Sequence, residues 1–304
     1  ATLLGGLLIA GYLRREERIP IRKVVTMGTP FRGSFEAVIK MVTGTAALDG
    51  GAPSSSEREV ARVTPALYYL LPDFDGAIVR SDEALPSRLF DEGLWQEGVI
   101  ESIETHIRRY SVDPPRTADG LRSRALDFLT RRLSDAARFR ELTEGLSLSA
   151  AGLSDDDWLA IVGVGEETRV RLFVTPGTSR PRFELRGSDR TNRYDTDATD
   201  KKTRGDTGDG TVPYVSAMPT FLPGSKPVLV TPDDWGYWEN ALPRPFSNLH
   251  SLMPAMNRVI KLTAAFLDGD PGPKAGAHAG IRGRAPIGVD VGSWDPPFLD
   301  LGPE

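Results

Sequence analysis

Two residues far apart in the sequence have the side chains that acid–base catalysis uses. Asp209 lies in the polar segment TGDGTVPYVSA, residues 207–217, and His250 lies in FSNLHSLM, residues 246–253. An imidazole takes up and returns a proton near neutral pH, and a buried carboxylate fixes its tautomer and stabilises its charged form. Each residue alone also has a simpler interpretation. A GDG segment is typical of turns, and a single histidine at a helix start is often a cap or a core residue.

The order of elements around this pair matches the order that an acid and a histidine have in α/β-hydrolases. The loop with Asp209 is followed by the strand-like PVLVT, residues 227–231, and then by His250 at the start of an amphipathic pattern over 249–267. In that fold the histidine follows the strand after the acid, just before the last helix. We therefore predict that Asp209 and His250 are the acid and the histidine of a catalytic triad and lie in contact.

Three short apolar segments are typical of parallel strands that are covered on both faces: residues 19–26, 169–175 and 227–231. The predicted fold class is α/β, the C-terminal half of an α/β-hydrolase fold with a mostly parallel sheet and a helical cap insertion. The core is expected to span residues 1–34 and 166–268. The cap is expected to span residues 35–165, where apolar side chains recur every three or four positions over 95–110 and 121–142.

The Gly- and Pro-rich residues 269–304 have no such periodicity and are predicted to form a C-terminal tail, either loose or draped over the surface.

A triad also needs a nucleophile, which in α/β-hydrolases lies at a GxSxG elbow between a strand and a helix. Residues 5–13, GGLLIAGYL, are typical of the second half of such an elbow, so the serine is expected at position 3, where the sequence has Leu3. Either the chain is the C-terminal part of a longer enzyme with replaced first residues, or it is a catalytically silent descendant. We favour the first, because the mismatch is confined to the terminus. In both cases the chain as given is expected to be nearly inactive.

Five segments in order resemble the lecithin:cholesterol acyltransferase family of α/β-hydrolases: GGLLIAGYL (5–13), KVVTMGTPFRGS (23–34), TPALYYLLP (64–72), GDGTVP (208–213) and NLHSLM (248–253). The resemblance implies lipid acyl transfer or phospholipase-type ester hydrolysis through a covalent acyl-enzyme. By this resemblance the acid falls on Asp209, the histidine on His250 and the degenerate nucleophile position on Leu3. The backbone N–H of Leu4 would then form half of the oxyanion hole.

Large apolar and aromatic side chains near these motifs are candidates for a substrate pocket: Phe31, Leu67, Tyr68, Tyr69, Trp235 and Trp238. Long acyl chains need a covered apolar site, although simple packing explains the same residues. The expected partner is a lipid or another acyl ester, with contact to a membrane surface. The alternative function is a non-catalytic lipid-binding or interaction protein.

Composition narrows the remaining classes of function. The chain has 304 residues, a formal net charge of -5 and no cysteine. Thiol catalysis and disulfides are therefore excluded, and the acidic excess argues against a nucleic-acid partner. The longest apolar run, residues 3–13, is shorter than the roughly 20 residues that a membrane span needs, and it lacks the features of a signal peptide. We expect no metal and no cofactor, and we favour a cytoplasmic location.

Overall fold

The described chain alternates helices with short strands. The computed structural model describes residues 4–15, 20–44, 54–193, 205–236, 248–268 and 283–297. Its α-helices are α1 (Leu4–Arg15), α2 (Phe35–Thr43), α3 (Ser55–Val63), α4 (Pro65–Tyr69), α5 (Glu97–Tyr110), α6 (Ala118–Glu144), α7 (Tyr214–Ala217), α8 (Leu249–Leu252) and α9 (Asn257–Asp268). Its strands are β1 (Val24–Met27), β2 (Ile78–Arg80), β3 (Trp158–Gly163), β4 (Thr168–Arg169), β5 (Leu172–Thr175), β6 (Arg182–Glu184), β7 (Arg190–Thr191) and β8 (Val228–Val230).

The chain divides into two compact units. The first comprises Ala1–Phe31, Leu142–Arg169 and Thr191–Glu304, and the second comprises Arg32–Glu141 and Val170–Arg190. Helices and parallel strands occur together, so the fold is α/β, as predicted.

A three-stranded parallel sheet in the order β1–β3–β8 forms the centre of the first unit. Every residue of β3 is buried, because both faces of the sheet are covered. On one face Leu159 and Ile161 pack with side chains of α8 and α9, and on the other Val162 packs with Val212 and Ala217. The uniformly apolar sequence of β3, WLAIVG, is what a strand buried on both faces requires.

One strand of this sheet differs from the prediction. Residues 169–175 were expected to form a strand of the core, but the strand between β1 and β8 is β3, which lies inside the range predicted as a helical insertion. Residues 172–175 form β5 of the second unit, where they pair with β2 in parallel and with β6 in antiparallel orientation. A run of six apolar residues fits a buried helix or a strand equally well by periodicity, which explains the error. Assignment of the rest of residues 35–165 to a cap stays a prediction.

The helices of the second unit follow the predicted periodicity. The patterns over 95–110 and 121–142 correspond to α5 and α6, and α6 ends at Glu144, just before Gly145. Arg62 of α3 is buried and donates to the carbonyl oxygens of Met41 and Gly98, at 2.8 and 2.6 Å. Burial, reinforced by nearby Arg58, lowers the pKa of Arg62 to about 10. These bonds join α2, α3 and α5.

The helix predicted over 249–267 is interrupted. A 3-10 turn, Met253–Ala255, separates α8 from α9. Pro254 lacks an N–H to continue the helical hydrogen bonds, and its ring clashes with the preceding turn, so the chain restarts at Asn257.

The part of the C-terminal segment that the structure describes, residues 283–297, packs against the first unit. Arg284 and Leu229 exchange two backbone hydrogen bonds of 2.8 Å. Trp294 is 8% exposed, and its indole N–H donates to the carbonyl oxygen of Pro227 at 3.0 Å. Of the two predicted alternatives, loose or draped, these fifteen residues follow the second.

Among the described residues, no helix combines the length and the apolar character that crossing a bilayer requires.

Candidate active site

Asp209 and His250 lie in direct contact in the first unit, although 41 positions separate them in the sequence. His250 Nδ1 is 2.7 Å from Asp209 Oδ2, and the backbone N–H of His250 donates to the carbonyl oxygen of Asp209 at 2.9 Å. Because a carboxylate only accepts hydrogen bonds, Nδ1 carries the proton in this contact. The neutral ring then has Nε2 as its basic nitrogen, which is the state that a general base needs.

The carboxylate of Asp209 is held by its own loop. It is completely buried, and Oδ1 accepts hydrogen bonds from the backbone N–H groups of Thr211 and Val212, at 3.0 and 2.7 Å. A buried carboxylate is stable only when such donors replace its water. These two bonds occupy Oδ1, so Oδ2 faces the imidazole, and the orientation of the acid is set before any substrate binds.

Threonine hydroxyls fix this loop to the segment that follows β3. The hydroxyl of Thr207 accepts from the N–H of Gly165, and the hydroxyl of Thr168 accepts from the N–H of Gly210, both at 2.8 Å. The hydroxyl of Thr168 in turn donates to the carbonyl oxygen of Glu166 at 3.0 Å. The loop of Asp209 is therefore attached on both sides of the acid.

Gly28, directly after β1, lies against the side chains of both Asp209 and His250. Its φ of 54° lies in the left-handed region. A Cβ on this residue would lie 2.7 Å from Asp209 Oδ2 and 3.0 Å from His250 Nδ1. Glycine is therefore required here twice, for its backbone conformation and for the space that the two side chains occupy.

Gly163, the last residue of β3, also lies against the side chain of Asp209. A Cβ there would lie 2.5 Å from Asp209 Cβ and within 3.0 Å of side-chain atoms of Leu249 and Met253. Gly28 and Gly163 both mark the carboxyl ends of parallel strands, the edge of an open α/β sheet where ligands usually bind. Neither glycine was predicted to take part in this site. The only local signal was Gly28 within the turn-rich MGTPFRGS.

The predicted nucleophile region is described in part. Leu4 is the first residue of α1, so its backbone N–H belongs to the first helical turn, where N–H groups have no partner within the helix. Gly6 in the same turn lies against Thr29, since a Cβ on Gly6 would be 2.3 Å from the Thr29 hydroxyl. Leu3 lies outside the described residues. The predicted roles of Leu3 and Leu4 stay predictions.

The pocket candidates of the first unit take part in packing. Phe31 is 4% exposed and contacts the rings of Trp158 and Phe221, with centroids 6.3 and 5.4 Å apart. Trp235 is buried in the core that α8 and α9 form with the sheet. Trp238 lies outside the described residues.

The pocket candidates of the second unit lie in α4. Tyr68 is 1% exposed, and its hydroxyl donates to the carbonyl oxygen of Arg62 at 2.5 Å. This burial raises the pKa of Tyr68. Tyr69 packs against Phe139 with ring centroids 4.9 Å apart, and Leu67 is half-buried. Their contribution to a substrate pocket stays a prediction.

Within the described ranges, no group of three or more His, Asp or Glu side chains is arranged to hold a metal ion.

No protein-family model matches the sequence, and no curated protein matches it. Among solved structures, it is similar to a chain from the crystal structure of a Tle4–Tli4 complex, with 14% sequence identity and a TM-score of 0.49. The match covers 72% of this chain and 49% of that chain, so the present sequence spans about half the length of the chain in that complex.

Proposed function

We propose that the first unit carries the acid–histidine part of an α/β-hydrolase site for acyl esters, related to the lecithin:cholesterol acyltransferase family. The contact between Asp209 Oδ2 and His250 Nδ1, 2.7 Å long and buried at the carboxyl ends of parallel strands, carries this proposal. In such a site His250 takes the proton of a serine as the serine attacks the ester carbonyl, and returns it to the leaving group. Asp209 keeps the imidazole in the tautomer that makes this transfer effective.

The substrate class is a lipid or a related acyl ester, by the sequence resemblance to that family. The acyl group passes to the serine oxygen while the ester C–O bond breaks, and then to water or to an alcohol. No metal or organic cofactor is required for these two steps.

The residue at position 3 determines whether the chain performs this reaction. With Leu3 in place of the serine there is no hydroxyl to form the acyl-enzyme, and loss of the nucleophile costs roughly 10⁶-fold in turnover in enzymes of this type. We therefore expect the chain as given to be nearly inactive, with the contact between Asp209 and His250 unaffected.

The substitution Leu3→Ser tests the proposal. We expect the variant to react with a fluorophosphonate probe at the introduced hydroxyl and to hydrolyse p-nitrophenyl esters, whereas Leu3→Ala, which has no hydroxyl, does neither. Adding His250→Gln or Asp209→Asn should slow labelling by roughly 10³-fold or more. If Leu3→Ser reacts no faster than Leu3→Ala, the proposed function is wrong.

A non-catalytic role in binding acyl lipids is the second candidate, and Leu3 itself favours it. A binding protein would take up a fluorescent long-chain ester without hydrolysing it and would gain no activity from Leu3→Ser. An esterase site would turn the ester over in that variant and prefer long acyl chains to short ones. The same set of variants therefore separates the two candidates.

A further inference from the structure

Helix α8, which carries His250, is too short to hold its own position. It has four residues, Leu249–Leu252, and a single helical turn is unstable in water. Its placement must come from contacts with the rest of the first unit. Leu249 and Met253 supply apolar contacts in the core, and the N–H of His250 supplies one bond to the carbonyl oxygen of Asp209.

Asn248, the residue before α8, adds a bond to the loop of the acid. Its Oδ1 accepts from the N–H of Ser251 at 2.9 Å, which caps the helix. Its Nδ2 donates to the hydroxyl of Thr211 at 3.1 Å. Among the common N-cap residues, only asparagine combines an acceptor for the cap with an N–H donor for a second partner.

Thr211 is hydrogen-bonded both to Asn248 and to the acid, Asp209. Its backbone N–H donates to Asp209 Oδ1 at 3.0 Å, while its side chain accepts from Asn248. Gly210, between Asp209 and Thr211 in the sequence, has a φ of 93°. A Cβ on Gly210 would lie 3.1 Å from the Cβ of Asn248 and 3.2 Å from the Nδ2 of Asn248. The loop of the acid and the start of α8 thus lie so close together that a side chain at position 210 would be tightly packed against Asn248.

We propose that Asn248 is a positioning residue that sets the imidazole of His250 against Asp209 through the hydroxyl of Thr211. The bond lies at the start of the turn that carries the histidine, and it ends two residues after the acid. Asn248 contacts neither the imidazole nor the carboxylate by its amide, so its effect on the pair is indirect. The catalytic consequence rests on the proposed function, but the positioning itself does not.

Substitutions at either end of the bond separate positioning from helix capping. Thr211→Val removes the acceptor and keeps the shape of the side chain, and Thr211→Ser keeps the hydroxyl and serves as the matched control. Asn248→Ser keeps an N-cap oxygen and removes the long amide donor. Because Thr211→Val and Asn248→Ser break the same bond, we expect the double variant to behave like the stronger single variant.

The NMR signal of the His250 Nδ1 proton, measured on the full chain, is the primary readout. The chain has three histidines, so assignment needs few variants. We expect Thr211→Val and Asn248→Ser to shift this signal and to speed its exchange with water, and Thr211→Ser to leave both unchanged. If neither Thr211→Val nor Asn248→Ser alters the signal, or if Thr211→Ser changes it as much as Thr211→Val does, the positioning role is refuted.

Ester hydrolysis in the Leu3→Ser background gives the second readout. There Thr211→Val should lower kcat by up to roughly 10²-fold with little change in KM, because misplacement of a reacting group by about an ångström has an effect of this size. If Leu3→Ser is inactive while the His250 signal responds as expected, the proposed function fails and the positioning role stands. If hydrolysis is present and insensitive to both Thr211→Val and Asn248→Ser, the catalytic consequence of the positioning is refuted.

Discussion

At the scale of single residues, the site depends on glycines as much as on its acid and base. Gly28 supports the Asp209–His250 pair in a backbone conformation that other residues adopt only at a cost of about 1–2 kcal/mol. The pair itself was predictable, because GDG and NLHSLM are local patterns in a known order. Gly28 was not, since its contacts with Asp209 and His250 join positions far apart in the sequence and appear only after folding.

The substitution Gly28→Ala is expected to break the pair. The new methyl group would lie 2.7 Å from Asp209 Oδ2, so the carboxylate or the imidazole must move. Gly152→Ala is the matched control, because Gly152 also has a positive φ, 78°, but has no atom within 4 Å of the new methyl group. We expect Gly152→Ala to cost roughly 1–2 kcal/mol of unfolding free energy and to leave the His250 Nδ1 proton signal unchanged.

Gly28→Ala should lower the free energy of unfolding by more than Gly152→Ala does. It should also remove the signal of the His250 Nδ1 proton. An alanine at position 28 that keeps the wild-type His250 signal would contradict the assigned geometry.

At the scale of elements, local pattern predicted helices better than it predicted the sheet. The 3.6-residue periodicity of α5 and α6 lies entirely within each helix, so it can be read from the sequence. The strands β3 and β5 are both short and apolar, and which sheet each one joins depends on partners far away in the chain. This is why the segment of β5 was predicted as a strand of the core, whereas that of β3 was placed in the helical insertion.

The packing of α1 provides a test at this scale. Gly6 lies so close to Thr29 that a Cβ would meet three atoms of the threonine side chain at 2.3–2.8 Å. Threonine is branched at Cβ and turns only between a few rotamers, so it has little room to move away. We expect Gly6→Ala to lower the free energy of unfolding by roughly 1–3 kcal/mol, as overpacking does.

The matched control is Gly98→Ala in α5, where nothing lies within 4 Å of the new methyl group. Alanine is the better helix former there and should raise stability by roughly 0.5–1 kcal/mol. Chemical denaturation of both variants measures the difference. Equal effects of the two substitutions would show that α1 does not pack against Thr29.

At the scale of the whole molecule, the C-terminal segment contributes to the first unit. The ammonium group of Lys226, just before β8, binds Asp156 at 2.7 Å and Asp295 at 2.6 Å, and thus joins the approach to β3 with residues near the C-terminus. Residues 269–304 were predicted to be a tail, because their Gly- and Pro-rich sequence has no periodicity. Packing through scattered side chains such as Trp294 and through backbone bonds such as those of Arg284 leaves no periodic pattern in the sequence.

Lys226 also predicts a pH dependence. Burial opposes its charge, but the hydrogen bonds to Asp156 and Asp295 outweigh that effect and raise the pKa of Lys226 above its ordinary value. A base whose pKa is raised on folding stabilises the folded state below its unfolded pKa, about 10.4 for lysine, and loses this contribution as the pH rises through the folded pKa.

We therefore expect Lys226→Met to lower the free energy of unfolding at pH 7 by roughly 1 kcal/mol, since both carboxylates are largely exposed. The difference from the wild type should shrink above about pH 10.4. Lys261→Met, at an exposed position of α9, is the control for loss of a positive charge. A difference between wild type and Lys226→Met that stays constant from pH 7 to 11 would contradict the ion pairs.

The protonation of the His250 ring in the wild-type chain tests the central claim most directly, and ¹⁵N NMR of the imidazole measures it. We expect the neutral ring to carry its proton on Nδ1, with Nε2 unprotonated, and we expect Asp209→Asn to shift the ring toward the other tautomer. A ring protonated on Nε2 in the wild type, with a spectrum that Asp209→Asn leaves unchanged, would contradict the pairing on which the proposed function depends.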